Sequence, residues 1–217
     1  KKILKKSLFP NEANESFDTS EDVLDLMQYN TEKAFELVLD TLKIDWKRDP
    51  NMKDTPRRVA KMYIQELFKG RYTKFPDITV FPNTKNYNQL LTIGPIEIES
   101  TCSHHLVPFI GDCFIGILHG KKSHLIGLSK YARIVEHFAH RPQIQEELTR
   151  QILDFIVEKT QPEGAGVRII AKHLCSCVRG IKHRRMQMVT TQLYGSMFEG
   201  VLKDEFLREC QNLYKGE

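Results

Sequence analysis

The chain has 217 residues, 41% of them hydrophobic and 28% charged, with a formal net charge of +4. Its length suits one good-sized domain with a small extension, and its composition excludes a disordered chain. No apolar run approaches the roughly 20 residues needed to cross a bilayer, so no membrane partner is expected.

The start KKILKK leads into only a short apolar piece and does not read as a secretory signal. The first residue is not Met, which leaves room for a missing targeting segment. Five cysteines are an odd number and argue against a disulfide framework. A reducing, cytoplasmic location is expected, where thiolates are free to bind metal. The mild basic excess suits an anionic small molecule.

Residues 1–18 are polar and aperiodic, and 1–30 are expected to form a flexible tail. From Thr31, the residues Phe35, Val38, Leu39 and Leu42 recur at helical spacing. A second helix is expected from Thr55 as N-cap, with Pro56 in the first position and Gly70 as its stop. These helices define an expected region of 31–70, followed by a catalytic domain over 71–217. Residues 71–89 read as loop.

Alternation in Ile96–Cys102 predicts a strand, and 112–118 a second. A helix is predicted over 129–139. After Pro142 comes another, with Ile144, Leu148, Ile152, Phe155 and Ile156 on one face. Strands at 166–171 and 189–194 and a helix over 203–214 complete the chain. Neighbouring strands separated by helix pairs predict an α+β fold with an antiparallel sheet.

Four of the eight histidines and three of the five cysteines fall in two short segments, around 100–105 and 172–183. Cys102 and His105 have the C-x2-H spacing of two ligands on one ion, and Cys175 would add a third from a distant strand end. Two sulfurs and a nitrogen suit Zn²⁺, and three protein ligands leave a position for a water to be activated. His104 and His173 flank these ligands, where an imidazole can transfer protons. The competing readings are buried structural thiols or a closed site completed by Cys177, which on a strand would lie about 7 Å from Cys175.

Basic groups form a second constellation: Arg57, Arg58 and Lys61; Lys130 and Arg133; and Arg179, Lys182, Arg184 and Arg185. Each alone reads as a solvated face, and together they fit a polyphosphate clamp. Glu146 follows Gln145 near a helix start. Its carboxylate could accept from the N1–H and N2–H₂ edge of guanine, or simply complement the helix dipole.

Taken as a set, these segments resemble the type I GTP cyclohydrolases. The blocks are Cys102-Ser103-His104-His105-Leu106-Val107-Pro108-Phe109, Gly127-Leu128-Ser129-Lys130, Arg141-Pro142-Gln143-Ile144-Gln145-Glu146, His173-Leu174-Cys175 with Arg179-Gly180, and the earlier Asp54–Tyr63. The resemblance implies the tunnelling fold, with subunit sheets joined in a barrel, two pentamers stacked as a decamer, and sites between subunits. It implies zinc on Cys102, His105 and Cys175, and proton transfer by His104 and His173. Gln145 and Glu146 would bind guanine. Ser129, Lys130, Arg133, Arg179, Lys61 and Arg58 would line the ribose and triphosphate region. The implied reaction hydrolyses GTP to formate and dihydroneopterin triphosphate. One position departs from the pattern: the family usually has Glu where this chain has Ser103.

Two other readings stand beside this one. One is a different tunnelling-fold pterin or purine enzyme, although its synthases resemble a three-histidine zinc site. The other is a basic zinc-containing RNA-binding protein, against which stands the lack of aromatics interleaved with the basic groups. No nucleic-acid partner is expected.

Overall fold

The alternation expected around Ile96 belongs to a 13-residue strand, β2 (Leu90–Cys102), whose residues change between buried and open positions along much of its length. The computed structural model describes residues 12–17 and 19–216. The chain divides into two units, Lys1–Phe75 and Pro76–Glu217.

In the first unit, helix α1 (Glu21–Thr41) starts ten residues ahead of the expected helical region, so 21–30 are helix and not tail. Of the expected stripe, Phe35 and Leu39 are half-buried, while Val38 and Leu42 are exposed. Phe35 stacks on Tyr63, with ring centroids 5.8 Å apart. The segment before α1 is also held where it is described: the Arg71 guanidinium donates to the carbonyls of Glu12, Ala13 and Glu15. Residues 1–11 of the expected tail lie outside the described residues.

Helix α2 (Thr55–Lys61) has Asp54, not Thr55, at its N-cap. Its path continues through a π-helical turn, Met62–Leu67, into the short α3 (Lys69–Tyr72). Gly70 therefore sits inside the last turn, where it is buried, and does not end the helix.

The second unit is α+β. Its main sheet also contains β3 (Pro108–Leu118), β5 (Pro142–Gln143), β6 (Gly164–His173) and β7 (Met188–Gly195), in the order β5-β2-β3-β6-β7. All neighbours are antiparallel except β5, which runs parallel to β2. The expected loop over 71–89 contains β1 (Val80–Pro82), paired with β4 (His124–Ile126) in a separate two-stranded sheet. A three-residue strand with every position exposed carries too little alternation to be seen in sequence.

Helix α4 (Leu128–Ala139) buries Tyr131, Ile134 and Val135, and helix α5 (Gln145–Thr160) buries Leu148, Ile152 and Ile156. Ile144 is the N-cap of α5 and lies just outside the stripe assigned to it. Helix α7 (Val201–Lys215) places Phe206 and Cys210 in a cluster with Phe114, Ile170 and Met197. Phe206 fits because Gly116 and Gly166, paired across β3 and β6, leave open the space its ring fills. Burial of a side chain of that size contributes about 2 kcal/mol. No helix of the described residues is long and apolar enough to cross a membrane.

Candidate metal centre and active site

Strand direction brings the two chemical segments together. β2 and β6 are each antiparallel to β3, which lies between them, so they run the same way and end at the same edge of the sheet. Cys102 is the last residue of β2 and His173 the last of β6. The chain then turns at once into the four-residue helix α6 (Leu174–Cys177), which carries Cys175.

The end of β2 is pinned on both sides. Cys102 pairs with Gln143 of β5, and its N–H donates to Val107 O at 3.0 Å. The N–H of Ser103 donates to Gln143 O at 2.9 Å, and that of Leu106 to Cys102 O at 2.8 Å. Gln143 is fully buried and donates through Nε2 to Phe138 O and Gln151 Oε1. Thus β2 stops at Cys102, and Ser103 lies in a turn rather than continuing the strand's alternation.

Cys102, His173 and Cys175 each offer a ligand atom, all within 4.8 Å of one another. Burial raises the Cys175 thiol pKa above its ordinary value; the charge of Cys102 and a hydrogen bond to it raise it further, while Arg179 opposes the shift. Two thiols held this close beside an imidazole form a donor set that a soft-to-borderline divalent cation would satisfy.

His173 is itself firmly positioned. Its ring stacks on Phe109, its partner across β3 and β6, with centroids 4.5 Å apart, and its Nε2 lies 2.9 Å from Gln145 Oε1. Burial lowers its pKa; Glu146 pulls it back up and His104 pushes it further down. Gln145 is fully buried, and its Nε2 faces Ile169 O, Met188 O and Thr190 Oγ1 at 3.1–3.2 Å. Thr149 closes the network at 2.6 Å from Thr190 Oγ1. With both ends of its amide engaged, Gln145 orients His173, a different task from the guanine contact expected of it. Thr149 and Thr190 escaped the sequence reading. Their trace there is slight: Thr149 lies four residues after Gln145 on one helix face.

A cavity of about 450 Å³ opens over this group. His104, His105 and Glu146 line it together with Cys102, His173 and Cys175. His104 Nδ1 is 3.7 Å from Cys102 Sγ. His105 lines the cavity from the exposed turn, and it is His173 that supplies the imidazole of the close group.

Cys177 faces elsewhere. On a strand it would share a face with Cys175, but α6 is helical, and two helical residues advance about 200° around the axis. It is buried away from the close group.

The remaining expected residues are dispersed. Ser129, Lys130 and Arg133 lie on α4 outside the cavity lining, with Lys130 Nζ 3.4 Å from Asp77 O. Arg179 is exposed just beyond α6. Arg58 and Lys61 lie on α2 in the first unit, where Arg58 is 3.6 Å from Asp54.

The family model described as GTP cyclohydrolase I matches residues 31–211. The chain belongs to the GTP cyclohydrolase I family. It is an enzyme of that family. The GTP cyclohydrolase 1 of Wigglesworthia glossinidia brevipalpis is 42% identical over 180 residues, covering 82% of each chain. That of Flavobacterium johnsoniae is 40% identical, covering 81% of this chain and 78% of the relative. That of Shewanella baltica is also 40% identical, covering 75% and 76%. A solved archaeosine synthase QueF-Like structure in the apo form aligns with a TM-score of 0.39 and 14% identity, over 53% of this chain and 96% of that one; a similarity this low carries no argument.

Proposed function

We propose that this enzyme hydrolyses the imidazole ring of the guanine in GTP, releasing formate and giving 7,8-dihydroneopterin triphosphate, with zinc as its metal. The observation that carries the reading is the close pair of thiols, Cys102 and Cys175, beneath a cavity lined by His104, His105, His173 and a carboxylate. That donor set fits zinc better than a hard cation, which would call for oxygen ligands. Zinc there would supply Lewis acidity and lower the pKa of a bound water.

Cys102 and Cys175 would hold the metal with His105, which lines the same cavity from the turn that follows Cys102. His173, held by Gln145 and Phe109, would keep its place on the wall and pass protons to and from the opening ring, with His104 as its partner. Glu146, exposed in the first turn of α5, would accept from the N1–H and N2–H₂ edge of guanine. Ser129, Lys130, Arg133 and Arg179, with Lys61 and Arg58 from a neighbouring chain, would take the ribose and triphosphate. That division of labour goes with the tunnelling fold, in which two stacked pentamers form a decamer and each site lies between subunits.

The direct test is to incubate the zinc-loaded protein with GTP and measure formate, together with a fluorescent pterin after oxidation. Equal yields of both are expected, abolished by a zinc chelator and restored by zinc. Formate without a pterin, or neither product, would sink the assignment.

A further inference from the structure

A second cavity, of about 370 Å³, is lined by Lys172, Leu174, Cys177, Val178, Lys182 and Arg184. None of these residues lines the cavity over the close thiol group. The separation has a simple cause. Lys172 precedes His173 on β6, and successive strand residues point to opposite faces. Cys177 and Cys175 are likewise on different sides of α6, as the helical advance requires.

The lining has three cations and no carboxylate. The side chains of Lys172, Lys182 and Arg184 make no hydrogen bond or ion pair with another described residue. The backbone folds them around one concavity. The N–H of His183 donates to Ser176 O at 3.0 Å, and that of Lys182 to Arg179 O at 3.3 Å. Lys182 adopts the left-handed conformation, with φ 54°, uncommon for a residue with a Cβ. Three unpaired cations converging on one hollow repel one another unless an anion joins them.

We propose that this cavity is a second anion site, taking the linked phosphates of a small oligophosphate, apart from the site that takes the guanine nucleotide. An arginine and two lysines match that chemistry: the guanidinium can bridge two oxygens on a phosphate, and the ammonium groups add point charges around it. The buried Cys177 and half-buried Leu174 add apolar wall to the same hollow.

The test uses the full-length zinc-loaded protein and inorganic pyrophosphate as the probe, followed by titration calorimetry. Binding is expected in the native protein and should weaken as salt rises from 50 to about 200 mM. The double substitution Lys182→Ala and Arg184→Ala should lower pyrophosphate affinity by about tenfold or more. Both residues are exposed, so folding should survive, and Lys172→Met provides an independent check. Zinc content should stay unchanged in all these variants. Undiminished pyrophosphate binding in them, or no binding by the native protein at millimolar probe, would overturn the site. A rise in the KM for GTP that parallels the loss of pyrophosphate affinity would also overturn it, by making the hollow the phosphate end of the nucleotide site. The calorimetric results stand apart from whether GTP is the substrate; only the KM comparison rests on that reading.

Discussion

On one side of the candidate centre, His173 lies between the Phe109 ring and the Gln145 amide, which is itself held by Ile169, Met188 and Thr190. On the other side, His104 and His105 stand on an exposed turn, where His104 Nδ1 lies 3.7 Å from Cys102 Sγ. Both sides line one cavity. The first is built from strand register and a buried hydrogen-bond network, so its geometry is inherited from the sheet. The second stands on a turn pinned by backbone bonds to Cys102 O, with its two imidazoles edge to face and centroids 6.4 Å apart. Under the proposed function the wall would supply the prearranged proton-transfer group, His173, and the turn the third ligand, His105.

The strongest way to break the comparison is to remove the sulfurs both sides share. Cys102→Ser and Cys175→Ser should each lose metal and reduce turnover to background, because a hydroxyl is a far poorer zinc ligand than a thiolate. Cys177→Ser should keep its metal, since that side chain is outside the close group. Metal content by atomic absorption checks all three; equal loss would mean that α6 rearranges to bring Cys177 in.

Next comes the rigid side. Gln145→Leu should lower kcat by roughly ten- to a hundredfold with little change in KM, as expected when a group that orients a catalytic imidazole is removed. It should also destabilise the fold by about 1–3 kcal/mol, because the carbonyls of Ile169 and Met188 lose their buried donor. A rise in KM with kcat preserved would return Gln145 to the base-binding role that the family resemblance implies.

The smallest effect is expected on the turn. Ser103→Glu, restoring the family's usual residue, should leave zinc content unchanged and alter turnover by no more than about tenfold. Steady-state assays with metal analysis decide it. Loss of metal would place this side chain among the ligands, and activity appearing only in the variant would make the natural protein a binder without turnover.

Much of the fold was readable along the chain. Alternation marked part of β2, the cores of β3, β6 and β7 also read as strands, and helical spacing marked α4, α5 and α7, which each bury one face. Elements without a buried face left little trace. β1 is exposed throughout, and α1 has no fully buried residue, so its first ten residues read as tail. The chemical segments around Cys102 and Cys175 were also legible, since their residue types are rare and clustered.

By itself, then, the sequence determined the α+β class and the family, and it marked the two segments that hold Cys102, His173 and Cys175. Only the tertiary structure decided which side chains meet. The parallel course of β2 and β6 puts Cys102 beside His173 and Cys175, a relation between residues some seventy positions apart. The helical form of α6 turns Cys177 away from Cys175, where strand alternation would have kept the two on one face. Gln145 shows the same limit: its type and position suit a base contact, but its partners lie on β6 and β7. Hydrogen bonds of that kind depend on strand pairing across the sheet, which local sequence does not encode.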